Sequence, residues 1–252
     1  MNGKIFIVGT GPGSYEQMTL EAINAIKESN IIIGYTVYTD LLKPYFPDKE
    51  FASTPMTKEI ERCRLCFDYA LKGKIVSLVC SGDAGVYGMA SPMFQLLHEE
   101  KQYKDIELKI IAGVTAASSG AAVLGAPLNH DFCVISLSNL MTPWNVIEKR
   151  ISCAIKGDFA IALYNPSSHK RKDYLKKACQ IMLDSGADKN RSCGFVENIG
   201  RKETKVQACT LGELLEKEVN MFTTVFIGNS QSEIFITENN VPVLLTKRGY
   251  TI

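Results

Sequence analysis

Val79-Cys80-Ser81-Gly82-Asp83-Ala84-Gly85-Val86-Tyr87-Gly88 is an apolar run that opens into a glycine-spaced turn carrying a single acid. An α/β sheet presents a ligand loop in this way, because ligands of open α/β sheets bind outside the carboxyl ends of the strands. Three similar loops follow strand-like runs: Gly9-Thr10-Gly11-Pro12-Gly13, Gly34-Tyr35 and Gly113-Val114-Thr115-Ala116. Each has a plainer reading as a tight turn, with Asp83 capping the next helix. Their shared position past strand ends predicts one small-molecule site.

Working outward from that loop, strand-like runs over residues 4–8, 30–33, 75–80 and 108–111 alternate with helical patterns over 19–28, 58–71, 91–99 and 116–124. Such alternation predicts an α/β fold with a mostly parallel, doubly wound sheet. Gly125-Ala126-Pro127-Leu128-Asn129-His130-Asp131 breaks the pattern with Gly, Pro and polar residues in succession. The expected domains are therefore an N-terminal α/β domain over 1–126, carrying the glycine loops, and a C-terminal α/β domain over 127–252. In the second, strand-like runs at 132–137, 159–164, 193–196, 205–208, 224–227 and 243–245 outnumber the helices at 143–156, 172–184 and 211–218. More strands than helices requires hairpins, so the C-terminal sheet should be mixed.

With 252 residues, 46% of them hydrophobic, the chain can fill two ordinary cores. Its 28 basic and 27 acidic residues leave a net charge of +1, so no global field recruits nucleic acid or an anionic membrane. No apolar stretch approaches the ~18 residues of a membrane span, and the opening Met1-Asn2-Gly3-Lys4 lacks a signal-peptide pattern. A cytoplasmic protein is expected, and its eight cysteines, mostly inside apolar runs, read as buried thiols rather than a disulfide framework. Cys63-x-x-Cys66 lies in a segment of helical periodicity with no second pair at ligand spacing. It reads as packing, and no protein-bound metal is expected.

The glycine loops exclude two nucleotide sites. In Gly9-Thr10-Gly11-Pro12-Gly13-Ser14 the third glycine of a dinucleotide fingerprint is replaced by Ser14, and Pro12 removes a backbone donor that a pyrophosphate would need. No Gly-Lys-Ser/Thr follows any of the loops, which excludes a P-loop.

The same residues carry a resemblance. The opening Gly-x-Gly-Pro-Gly followed by Met18-Thr19-Leu20, the Ser81-Gly82-Asp83 loop and Gly113-Val114-Thr115-Ala116-Ala117 resemble the tetrapyrrole methylases, the class III S-adenosylmethionine-dependent methyltransferases. Within that family, the strings 124–132 (LGAPLNHDF), 136–144 (SLSNLMTPW), 162–166 (ALYNP) and 246–250 (TKRGY) are similar to the branch that methylates C-17 of precorrin-3B or its cobalt counterpart. Ala84 departs from the family, which mostly has Pro after Gly-Asp. The resemblance implies two α/β domains with a ligand cleft between them, S-adenosyl-L-methionine as methyl donor and S-adenosyl-L-homocysteine as product, a small tetrapyrrole substrate and a homodimer. Carried over residue by residue, it assigns Gly11, Pro12, Gly82, Asp83, Val86, Thr115, Ala116, Asn165 and Gly194 to the cofactor.

Methyl transfer from a sulfonium needs little beyond positioning and a dry site, which explains why no triad or metal cluster stands out. The branch resembled also contracts the macrocycle, so a proton carrier is expected. His130, one of three histidines and next to Asp131, is the catalytic candidate, with a linker-ordering role as its alternative. The substrate carries many carboxylates, so local cations are expected. Arg201 is favoured over the cluster His169-Lys170-Arg171-Lys172, and Glu197 is a further candidate. The competing readings are the metal-free precorrin-3B enzyme, a methyltransferase acting on a macromolecule, and a cofactor-binding module without catalysis.

Overall fold

A computed structural model describes residues 3–168 and 170–251 of the chain. The chain divides into two compact units, Met1–Thr115 and Ala116–Ile252.

The first unit holds strands β1 (Lys4–Gly9), β2 (Ile31–Tyr35), β3 (Glu50–Thr54), β4 (Ile75–Cys80) and β5 (Glu107–Ile111). They form one sheet in the order β3-β2-β4-β1-β5, with every neighbouring pair parallel. Both faces are covered by helices, so the central strands must be apolar on both sides. Ile5 and Ile7 of β1 pack with α3 (Glu59–Leu71) and α4 (Ala90–Glu99), while Phe6 and Val8 pack with α1 (Leu20–Glu28) and α2 (Thr36–Leu42). Sequence patterning overlooks β3 and α2. As an edge strand with one neighbour, Glu50-Phe51-Ala52-Ser53-Thr54 need not be apolar throughout. The seven-residue α2 follows β2 without a break and opens on β-branched Thr36 and Val37, so it shows little helical period.

The second unit begins with α5 (Ala116–Leu124) and the short strand β6 (Gly125–Ala126). It continues through β7 (Phe132–Ser136), α6 (Trp144–Lys156), β8 (Ala160–Tyr164), α7 (Tyr174–Asp184), β9 (Ser192–Glu197), β10 (Lys205–Thr210), α8 (Leu211–Leu214), β11 (Thr223–Ile227), β12 (Ser232–Ile236) and β13 (Pro242–Thr246). The main sheet has the order β10-β9-β11-β8-β7 and is mixed, parallel only at β7/β8. A three-stranded sheet, β12-β13-β6, is also mixed. One face of the main sheet packs on α6, α7 and α8, and the other on α5 and the small sheet.

The division falls after Thr115, one helix earlier than the expected break after Ala126. Ala117 and Leu124 of α5 are buried with Ala162, Val196 and Phe226, so α5 belongs to the second core. The Gly125-to-Asp131 interruption marks β6 and the turn after it instead.

All eight cysteines are free. Cys63 and Cys66 lie on the buried face of α3 with Cys80 in the first core, while Cys179, Cys193 and Cys209 lie in the second. Burial pushes the Cys63 and Cys179 thiols up to about 12 and those of Cys80 and Cys209 up to about 11. Thiols held this high stay protonated and behave as small hydrophobes. Among the described residues, no cluster of three or more His, Cys, Asp or Glu side chains is arranged to hold a metal, and no helix is long and apolar enough to cross a membrane.

Candidate functional site

Strands β1 and β4 lie side by side, yet the helices that follow them, α1 and α4, cover opposite faces of the sheet. Adjacent strands whose connections diverge leave a crevice at their carboxyl ends, the usual ligand position of a doubly wound sheet. The loops after β1 and β4 meet at this point. Gly11 and Gly82 form an isolated antiparallel bridge, with the Gly11 N–H donating to the Gly82 carbonyl at 3.0 Å and the Gly82 N–H donating back at 2.7 Å. Thr10 adds its N–H and hydroxyl to the Cys80 carbonyl, each at 2.9 Å. The loop after β5 joins them so closely that a Cβ on Gly113 would lie 2.2 Å from the Gly82 carbonyl oxygen and one on Gly9 2.7 Å from the Gly113 nitrogen. Only glycine permits three loops to pack backbone against backbone in this way.

Asp83 is the knot of the arrangement. Its Oδ1 accepts the N–H groups of Gly85 at 2.7 Å and Val86 at 3.1 Å, and its Oδ2 accepts the Gly113 N–H at 2.9 Å. The carboxylate therefore orders its own loop and ties it to the loop after β5, rather than capping α4, whose N-cap residue is Met89. Thr19 does similar work across the rim: it caps α1 by accepting the Ala22 N–H and donates its hydroxyl to the Ala112 carbonyl. Gly11, Pro12, Gly82, Asp83, Val86 and Thr115 thus share one rim of the first unit. Gly11, Pro12 and Gly82 are buried, Asp83 and Thr115 are half-buried, and Val86 is exposed.

Gly34 and Tyr35, expected as a loop past a strand, are instead the last two residues of β2, and α2 follows directly because the strand runs on through them to pair with β3. Beyond β2, Tyr38, Leu41, Leu42 and Tyr45 border a narrow cavity with Thr10, Tyr15 and Met18.

In the second unit β8 and β9 run in the same direction, both antiparallel to β11, and β7 is parallel to β8. Asn165, after β8, and Glu197, closing β9, therefore sit at the same end of the sheet. Arg201 follows in the turn between β9 and β10. Asn165 has a left-handed backbone (φ 54°) and donates its amide to the Ser136 hydroxyl at 2.9 Å. Arg171 donates to Ser138 Oγ at 2.8 Å and Ser168 Oγ at 3.0 Å, and Arg201 lies over the Phe222 ring at 4.9 Å. Glu197 accepts the Asn220 amide. Both of these Arg171 hydrogen bonds go to neutral hydroxyl oxygens, a setting suited to an anionic substituent. His169 lies outside the described residues.

His130 does not join them. It precedes β7 and so lies at the opposite end of the sheet from Asn165, a strand length of about 15 Å away. Its Nδ1 accepts the Asp131 N–H at 2.8 Å, a local turn contact. The sequence favoured His130 as one of three histidines beside Asp131; the direction of β7 sets it at the other end of the sheet from Asn165. Gly194 is buried in β9, where a Cβ would lie 2.8 Å from Leu124 Cδ2, so packing under α5 accounts for its lack of a side chain. Sequence reasoning missed the Tyr164 hydroxyl, which accepts the Ala117 N–H at 2.6 Å and so anchors the start of α5 immediately after Ala116. No local signal marks this bond, because its two partners stand 47 residues apart.

Three comparisons bear on this architecture. The model of the Tetrapyrrole (Corrin/Porphyrin) Methylases matches residues 4–215. The chain belongs to the tetrapyrrole methylase family. A probable cobalt-factor III C(17)-methyltransferase of Salmonella typhimurium is 42% identical over 246 residues, covering 98% of this chain and 99% of that protein. A precorrin-3B C(17)-methyltransferase of a Sinorhizobium species is 36% identical, covering 99% of this chain and 98% of its own. Among solved structures, the methyltransferase CobJ superposes with a TM-score of 0.85 at 30% identity, covering 97% of this chain and all of that one. This tetrapyrrole methylase therefore shares its fold, over nearly its whole length, with a solved methyltransferase.

Proposed function

We propose that the protein transfers a methyl group from S-adenosyl-L-methionine to C-17 of a cobalt-containing tetrapyrrole of the cobalt-factor III type, with contraction of the ring. The observation that carries this reading is the end-to-end likeness, at 42% identity, to a probable cobalt-factor III C(17)-methyltransferase. The metal-free substrate is the second reading, supported by the 36% identity to the precorrin-3B protein.

The rim fits a nucleoside-type methyl donor. Its glycines remove side chains from the strand ends, Asp83 freezes the loop with backbone hydrogen bonds, and Thr115 stands half-buried on the same rim. Gly11, Pro12, Gly82, Asp83, Val86 and Thr115 are the residues proposed to hold it, with Ala116 and Asn165 assigned by the family resemblance. The donor supplies a methyl on a positively charged sulfur, an already activated leaving group. What remains for the chain is to hold two reactants in line and keep water away, which a pre-ordered loop achieves without a nucleophile. Arg171 and Arg201 are proposed to meet substrate carboxylates. Any cobalt arrives within the substrate.

The test is an anaerobic incubation with S-adenosyl-L-methionine and either cobalt-factor III or metal-free precorrin-3B, with products read by mass spectrometry. One added methyl on the cobalt substrate is the expected result. Methylation of the metal-free compound alone would select the second reading, and transfer to neither would refute both.

A further inference from the structure

Arg171 carries a charge that the fold leaves unbalanced. Its Nε donates to Ser168 Oγ at 3.0 Å and its Nη1 to Ser138 Oγ at 2.8 Å, and the guanidinium has no other partner among the described residues. The nearest acid in the sequence, Asp173, is paired with Lys177 at 2.7 Å. Of the guanidinium donors, both N–H groups of Nη2 and one of Nη1 therefore stay uncommitted on a half-buried side chain. The two serines are themselves anchored. Ser138 follows β7, and its N–H donates to Ser136 Oγ at 3.2 Å, which also accepts the Asn165 amide at 2.9 Å. Ser168 follows β8, and its carbonyl accepts the Arg171 N–H at 3.0 Å, closing a tight turn. Because β7 and β8 are parallel neighbours, both loops leave the same end of the sheet.

A neutral donor would suffice to join two loops, whereas a cation partly withdrawn from water and bonded only to hydroxyls is poorly compensated. Fixed at Nε and Nη1, the same guanidinium keeps adjacent N–H groups in place for a carboxylate, which takes two of them at once. We infer, resting on the tetrapyrrole substrate proposed above, that Ser138 and Ser168 are positioning residues that set Arg171 as the receptor for one carboxylate of the macrocycle. Charge separates this ligand from the methyl donor. S-adenosyl-L-methionine carries a sulfonium and an ammonium against a single carboxylate, a net cation that an unbalanced guanidinium repels, while a substrate with many carboxylates is drawn to it.

The test is a double-mutant cycle on the dissociation constant of cobalt-factor III, titrated through its visible absorbance, with that of S-adenosyl-L-methionine measured by calorimetry. Arg171→Met should weaken tetrapyrrole binding about tenfold and Ser138→Ala about threefold, each with an unchanged dissociation constant for the methyl donor. In the Arg171→Met background Ser138→Ala should add nothing, because the hydroxyl then has no guanidinium to hold. Thermal melting reports whether each variant is folded. Should Arg171→Met fail to fold, Arg171→Gln, which keeps an amide donor for the serines and removes only the charge, should show the same tenfold loss. Additive effects of the two substitutions, an unchanged tetrapyrrole affinity without Arg171, or an equal loss of affinity for both ligands would overturn the inference. A wild-type protein that neither binds nor methylates a tetrapyrrole would instead refute the functional reading on which it rests.

Discussion

At the scale of single residues, the most consequential side chain is Asp83, because three backbone donors from two loops converge on one carboxylate. Asp83→Asn keeps one acceptor oxygen but must turn an NH2 group toward either Gly113 or the Gly85/Val86 pair, opposing donor to donor. The expected cost is about 1–3 kcal/mol of stability together with at least a tenfold loss of S-adenosyl-L-methionine affinity; thermal melting and calorimetry measure both, and retained affinity would show that the clasp is dispensable. His130 makes the opposite case. Since it lies across the sheet from Asn165, His130→Ala should leave kcat within about twofold, the scale of a surface substitution, and a hundredfold fall would restore it as the proton carrier. Asp83 was conspicuous in the sequence as a lone acid among glycines, but its partner Gly113 is 30 residues away. Loop membership is local information; hydrogen-bond partnership is not.

At the scale of elements, the main sheet of the second unit is fastened at the end away from Asn165. Asp158 accepts the N–H and hydroxyl of Ser230 and a guanidinium N–H of Arg191, which also donates to the Gly228 carbonyl, so one carboxylate gathers the start of β8, the start of β9 and the end of β11. Burial by itself would raise the Asp158 pKa, but the Ser230 hydrogen bonds and the Arg191 charge outweigh it and hold the carboxyl below its ordinary value. A depressed carboxyl contributes stability that is complete above its ordinary, unfolded-state pKa and is lost as the pH falls through the lower folded value. Asp158→Asn should therefore cost about 1–2 kcal/mol at neutral pH, and the gap from wild type should close in acid. Denaturant midpoints measured between neutrality and pH 3 would show this, and a gap constant with pH would assign the clasp to shape alone. Among the elements themselves, the long central strands were legible because they are apolar on both faces, whereas β3 and α2 were not, because an edge position and a single short turn leave weak periodic signals.

At the scale of the whole molecule, the two cores account for the cysteines. Six thiols lie buried within them, while Cys153 is exposed on α6 and Cys133 is half-buried, with its thiol pushed up to about 11 by burial. A thiol reagent at neutral pH should modify Cys153 rapidly and the six buried thiols only on global unfolding, as mass-resolved labelling against denaturant would reveal; early modification of Cys63 or Cys66 would show that the first core opens locally. The amino-acid order alone determined the parallel and mixed character of the two sheets, the positions of the glycine loops and the family, because periodicity and turn chemistry act over a few residues. Tertiary structure alone decided which core receives α5, which loops Asp83 joins, and that His130 stands a strand length from Asn165. Those outcomes depend on strand order and direction, which arise from contacts between segments tens of residues apart and leave no mark on any one of them.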